Sequence, residues 1–241
     1  MANSERRLRL LSLLAARGPD LQIKGLCEVC AEVTGMSGAG IMLLSRDLPQ
    51  GSVGTTNEVS ALIEELQYTL HEGPSFDAYH EDRSVLEPDL AQGRAPRWLA
   101  FRGPALEAGA QAVFAFPLRV GEVRLGSLNL YCDRPRPLTE EQHADALVLA
   151  DMAAQTVLLL QAHAPPDRLA AQLAQGGEFL FVAHQAAGMV AAQLDVSITE
   201  ALIRLRAYAF GADRPLSEVA TDVVARNLRI GDRNGDEDPR P

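Results

Sequence analysis

Ala112-Val-Phe-Ala-Phe-Pro-Leu118 and Leu125-Gly-Ser-Leu-Asn-Leu-Tyr131 are two apolar runs joined by Val120-Gly-Glu-Val-Arg124. Runs of this length, rich in aromatic residues and linked by a glycine-containing connector, predict a β-hairpin. Downstream, Thr139-Glu-Glu-Gln142 predicts a helix start, with Thr139 as N-cap and Gln142 completing a capping box. Ala146, Leu149, Ala150, Ala153, Val157 and Leu160 then recur at helical spacing, so this helix is expected to reach about Gln161. A helix placed like this can also pack on a second subunit, and a homodimer is an expectation drawn from it.

Upstream of the hairpin the pattern alternates. Leu8 to Leu14 reads as a short amphipathic helix and Asp20 to Val33 as another. Ala39-Gly-Ile-Met-Leu-Leu44 reads as a short buried strand, and Gly51-Ser-Val-Gly54 as a connection to a second, weaker one. Glu58 to Thr69 returns to helical spacing. Leu70 to Ala78 is a punctuated turn feeding a short helix, Val85 to Leu90 a strand-like edge, and Trp98 to Ala108 a helix. This order predicts an α+β fold, with an antiparallel sheet flanked by helices. After Pro165-Pro166 strand signals cease. Three helices are expected there, about Asp167 to Leu194, Thr199 to Phe210 and Leu216 to Asn227, with Ser197 and Ser217 as N-caps. The expected organisation is an N-terminal helix (1–19), a sheet domain (20–164), an all-α three-helix module (165–230) and a polar, disordered tail (231–241).

Composition narrows the function. The 241 residues are 47% hydrophobic and 22% charged, as in an ordinary globular protein. No apolar run reaches the roughly 18 to 20 residues that a bilayer crossing needs. The polar start predicts no secretory signal, so the chain is expected in the cytoplasm, with no membrane partner. A net charge of −10 argues against non-specific coating of nucleic acid, though not against a local basic surface. Lys24 is the one lysine among 22 basic residues. The arginines suit phosphate contacts, or simply reflect genomic composition. Cys27-Glu-Val-Cys30 spells CxxC but lies in a helical stretch without a second pair or nearby histidines, so buried structural thiols are expected and no metal site. No nucleophile motif or phosphate loop occurs, and no catalytic residue is expected; the chain reads as a non-enzyme.

Residues from about 20 to 161 resemble a GAF domain. Glu72-Gly-Pro-Ser-Phe-Asp-Ala78, Arg97-Trp-Leu-Ala-Phe101, Val113 to Gly121 and Leu125 to Tyr131 carry the resemblance. It implies an antiparallel sheet with a cavity on one face, which in some members holds a small molecule. Phe76, Trp98, Phe101 and Phe116 are the expected pocket residues, and the ligand, if any, is unknown. Aromatic side chains at these spacings also serve as plain core. Relatives often carry cysteine where this chain has Ser75, so thiol chemistry is not expected there. His71 and His80 read as solvated or core-edge histidines rather than ligands.

Residues from about 168 to 230 resemble the ANTAR domain, a three-helix module that binds RNA and prevents transcription termination. Ala183-His-Gln-Ala-Ala-Gly-Met-Val190, Ser197 to Ala209 and Arg214 to Ala220 carry this resemblance. It implies a signal-responsive antitermination regulator that binds RNA hairpins in leader transcripts as a homodimer. Gln185, Ala186, Gly188, Arg204, Arg206, Tyr208 and Arg214 are the expected RNA contacts, with Arg206 foremost as the recurring basic position. Gly188 within a helix costs about 1 kcal/mol relative to alanine, so a close helix or an RNA backbone should compensate. Ala201, Leu202, Leu205 and Ala209 form the expected buried stripe, with Arg204 and Arg206 on its two flanks. Tyr208 could stack on an unpaired base. Two positions depart from the family pattern: Leu180, often basic in relatives, and Ala187, often lysine or threonine. The alternative is a sensor or scaffold whose helical end recruits a protein.

Overall fold

The computed structural model describes residues 2–17, 23–44, 51–92, 97–163 and 178–231, and all side chains among them except those of 2–3, 160–163 and 178–181. The chain divides into two compact units, residues 1–177 and 178–241. The expected Pro165-Pro166 seam, the first residues of the Asp20 and Asp167 helices, the Leu180 side chain and the tail beyond 231 lie outside the described residues.

The first unit is a five-stranded antiparallel sheet in the order β2-β1-β5-β4-β3. Its strands are β1 (Gly38–Leu43), β2 (Gly51–Thr55), β3 (Val85–Glu87), β4 (Ala112–Val120) and β5 (Val123–Cys132). The predicted hairpin is β4–β5, turning at Gly121 with φ +58. Side chains alternate across it. Phe114, Phe116, Leu128 and Leu130 enter one core with α2 (Ile23–Thr34) and α6 (Glu140–His163). Val113, Ala115 and Tyr131 enter the other. That second face is covered by α3 (Glu58–Leu70), α4 (Pro74–Glu81) and α5 (Arg102–Glu107).

Two expectations change in this unit. The second strand is the glycine-rich stretch itself rather than the residues beyond it. Gly54 lets Ile23 lie directly on the strand, because a Cβ there would stand 2.7 Å from Ile23 Cγ2. The expected Trp98–Ala108 helix begins only at Arg102. Trp98 adopts φ +55, a left-handed conformation that no helix continues.

Helix α1 (Ala2–Ala15) is tied to α6 by charge. Buried Asp145 accepts from Arg6 Nε at 2.7 Å and from Arg9 Nη2 at 2.6 Å. The capping box of α6 is formed as the sequence implies: Gln142 N donates to Thr139 Oγ1 (3.1 Å) and Thr139 N to Gln142 Oε1 (3.0 Å). Cys27 and Cys30 are buried on α2 as free thiols.

Among its described residues the second unit holds three helices, α7 (Glu178–Leu194), α8 (Ile198–Gly211) and α9 (Leu216–Val224). Ala183, Ala186, Ala187 and Val190 of α7 meet the buried stripe Ala201, Leu202, Leu205 and Ala209 of α8. Leu216, Val219, Ala220 and Val223 of α9 close the core. Ser197 caps α8 by accepting from Glu200 N at 3.1 Å. Ser217 is not the cap expected of it. Helix α9 begins one residue earlier, behind Pro215, whose fixed φ presets the first turn. Among the described residues no single helix is long and apolar enough to cross a membrane.

Candidate functional site

The sheet face under α3 carries polar residues where a core would ordinarily be apolar. On β5, Ser127 and Asn129 alternate with Leu128 and Leu130, and all four are buried. Helix α3 turns Glu64 toward them, only 1% exposed, and Asn129 Nδ2 donates to Glu64 Oε1 at 2.6 Å. Gly40 on β1 makes room, since a Cβ there would lie 2.7 Å from that same carboxylate oxygen. Gly38 does likewise for the ring of Tyr131, whose hydroxyl donates to Asn57 Oδ1 at 3.0 Å.

A small cleft opens at this point. Gly40, Ser60, Ile63, Glu64, Asn129 and Tyr131 line it, and its free space is about that of one water molecule. That is room for one small polar guest. Among the described residues, Glu64 Oε2 and Asn129 Oδ1 are buried without a hydrogen-bond partner. Burial pushes the Glu64 carboxyl up to about 8, with the Asn129 hydrogen bond working in the opposite direction. Sequence reasoning missed this pair. The signal was available in the polar–apolar alternation of Ser127-Leu-Asn-Leu130.

The expected aromatic pocket does not assemble as one group. Trp98 and Phe101 pack edge to face, with centroids 6.4 Å apart, in the core beneath α5. Phe76 lies on α4 between His71 and His80, both exposed, at centroid distances of 5.2 and 6.5 Å. Phe116 belongs to the opposite core, 5.6 Å from the His143 ring, because alternation along β4 turns it toward α6. It cannot line a pocket with the other three.

The two sequence blocks around Glu72 and Trp98 instead hold each other. Asp77 Oδ2 accepts from Trp98 Nε1 at 2.9 Å and also from Arg97, whose guanidinium stacks 4.9 Å over the indole. Glu72 Oε1 accepts from the backbone N–H groups of Ala100 and Phe101, at 2.6 and 2.8 Å. These bonds fix the loop before α5 against α4. Ser75 is buried, and its backbone N–H donates to Gln67 Oε1 at 2.8 Å. Burial above all holds Cys27 well above the ordinary thiol range and pushes Cys30 up to about 12, so both stay neutral.

In the second unit the expected RNA contacts separate into buried and exposed sets. Ala186 is wholly buried, whereas Gln185 and Gly188 are exposed one helical turn apart. A Cβ at Gly188 would meet nothing within 4 Å. Among the described residues no helix packs against that glycine. Arg206 is only 7% exposed, not on a flank as expected. Its position four after Leu202 and three before Ala209 places it within the buried stripe itself. Partial burial, and then the charge of Arg206, hold His184 below the usual imidazole range.

Arg204 pairs with Glu200 at 2.8 Å, one turn back. Arg214 pairs with Asp222 at 2.7 Å and with Glu218 at 3.5 Å. Tyr208 is exposed, as are Ile198, Ile203 and Phe210, the last at 63%. The cations expected to meet RNA are thus either engaged by carboxylates or buried, and the open surface is that of Gln185, Gly188 and Tyr208.

A sequence profile of the GAF domain matches residues 23–158. Among solved structures, the GAF domain from a phosphoenolpyruvate-protein phosphotransferase of Coxiella burnetii is similar at a TM-score of 0.50 and 15% identity, covering 66% of this chain and 97% of that one. The GAF domain of the Acinetobacter phosphoenolpyruvate-protein phosphotransferase gives 0.49 and 11%, over 67% and 96%. The GAF-B domain of DevS from Mycobacterium smegmatis gives 0.43 and 19%, over 58% and 92%. At 15% identity the likeness to the Coxiella burnetii domain speaks for the fold alone. No curated protein sequence matches the chain.

Proposed function

The chain belongs to the GAF domain family, and from that premise we propose a signal-responsive cytoplasmic regulator. Its sheet unit senses a small molecule, and its helical unit is an ANTAR-like module that binds RNA hairpins and prevents transcription termination. No catalytic step is assigned to it. The observation that carries the RNA half is Gly188. Its conformational cost of about 1 kcal/mol has no offset among the described residues, none of which comes within 4 Å of where a Cβ would stand. An RNA backbone laid over this open turn would supply one, with Gln185 beside it and Tyr208 available for stacking. The engaged state of Arg204 and Arg214 implies that their carboxylates must be displaced on binding, which favours modest affinity and steep salt dependence.

The test is a gel shift of the full chain with a leader-type hairpin at low salt. Gly188→Glu should leave the unit folded, and slightly stabilised by better helix propensity, while weakening RNA binding at least about tenfold. Arg206→Ala should weaken it too, with some loss of stability because the side chain is buried. A wild-type chain that shifts no hairpin, or a Gly188→Glu chain that binds as well as wild type, would reject this reading. The exposed Ile198, Ile203 and Phe210 favour the second reading, recruitment of a protein partner by α8.

We also place a homodimer contact on α1 and α6, where Leu8, Leu11, Leu147 and Leu159 are exposed. In that arrangement α6 would carry the signal onward, since a ligand shifts a dimer only by favouring one of its states. Light scattering of the full chain should give twice the chain mass. Leu147→Glu with Leu159→Glu should halve it, and a monomeric wild type would remove the dimer from the proposal.

A further inference from the structure

The cleft under α3 is chemically selective. Two acceptor atoms, Glu64 Oε2 and Asn129 Oδ1, are buried without partners at its wall, and the free space is close to that of one water. The wall bears no cation: among the described residues Glu64 is hydrogen-bonded by Asn129 and is in no ion pair. With the carboxyl ionised, a guest that satisfies both atoms is small, carries several N–H donors and brings positive charge to balance the carboxylate. Taking the sheet unit as the sensing unit, we propose that its cleft binds ammonium or the primary ammonium head of a small amine.

Each lining residue then has a role. Glu64 accepts one N–H and supplies the counter-charge, and Asn129 Oδ1 accepts a second. Gly40 keeps the cleft open, because any Cβ there would press on Glu64. Potassium has the charge of ammonium and nearly its size but no N–H to aim, and tetramethylammonium has charge with no donor and too much bulk.

The proton competes for the same carboxylate. Tyr131 on β5, which lines the cleft, and Cys27 on α2, which Glu64 influences, are both raised by burial and stay neutral between pH 6 and 9. Glu65 and Tyr68 flank Glu64 on α3 itself, and Asn129 and Ser60 do not ionise. Affinity for ammonium should therefore improve about tenfold per pH unit from 6 toward 8, where the Glu64 carboxyl titrates, and level off above.

The experiment is a thermal-shift and NMR titration of the full chain at constant ionic strength with ammonium or methylammonium, each against potassium and tetramethylammonium. A saturable rise in melting temperature with the two N–H donors alone, lost by about tenfold or more in affinity in Glu64→Gln, is the expected result. Equal response to potassium, no response to any of the four, or an undiminished response in Glu64→Gln would overturn it. Because Glu64→Gln keeps the size and the acceptor for Asn129, a folded variant is expected, and its circular dichroism checks this. The hairpin gel shift is read separately without added amine, so failure here leaves the RNA reading standing, and failure there leaves this site standing.

Discussion

Gly126→Val should remove a large share of the sheet unit's stability. At Gly126 the three central strands meet, Leu43 of β1 on one side and Leu118 of β4 on the other. A Cβ at this position would lie 1.9 Å from Met42 O and 2.9 Å from Leu43 Cα. Both are backbone atoms of the neighbouring strand, and no side-chain rotation relieves them. Strand β1 must move away from β5, which breaks ladder hydrogen bonds and opens both cores. The expected cost is on the order of 4 kcal/mol or more, a large share of the roughly 5–15 kcal/mol that holds a domain together. Gly121→Ala is the contrast. Gly121 also has a positive φ, but a Cβ there would meet nothing within 4 Å, so only the backbone penalty of about 1 kcal/mol remains. Urea melts of the two variants by circular dichroism measure the difference. Equal midpoints would show that the β1–β5 contact at Gly126 yields easily.

Glu64→Gln removes a pH dependence instead of a contact. In the folded chain this carboxyl keeps its proton to about pH 8, against 4.5 for the free side chain. Between those values the folded state binds more protons than the unfolded one, so stability falls as pH rises through the window and is flat on either side. The amide has no charge to bury and still accepts from Asn129 Nδ2. Relative to wild type, the variant should therefore gain on the order of 4 kcal/mol between pH 4 and pH 9. Subtracting the two stability–pH curves isolates Glu64 from every other titrating group. A difference curve with no slope from 4.5 to 8 would mean that the carboxyl is ionised in the fold.

Much of the architecture is legible in the residues. Alternation in Val113–Phe116 and Leu128–Tyr131 fixes the hairpin and its two faces, and Thr139 with Gln142 marks the start of α6. The helical unit announces its stripe through Leu202, Leu205 and Ala209. What escapes is the burial of polar groups. The apolar residues Val59, Leu62, Ile63 and Leu66 suggest one inward face of α3, yet Glu64, Gln67 and Tyr68 lie deeper than Leu62 or Leu66. A hydrophobic pattern cannot report a carboxylate whose burial is compensated by a partner more than sixty residues away in sequence. Arg206 fails for the related reason that charge suggests a surface, while its spacing already puts it inside. Phe116 shows the reverse case, an aromatic assigned by motif when the strand period alone would have turned it to the other face.

The strand order has a consequence for how the protein is made. Strand β1 emerges from the ribosome early, but its inner neighbour β5 comes about ninety residues later. Until β5 arrives, β1 has only β2 beside it, a two-stranded ribbon that is marginal by itself. Helix α6, which shares one face of the sheet with α2, comes later still. The nascent sheet unit thus spends most of its synthesis without its central strand or its cover, and closure is a late, non-local event. Slow translation through residues 44–125 would lengthen the time for which the apolar β1 edge is open to other chains.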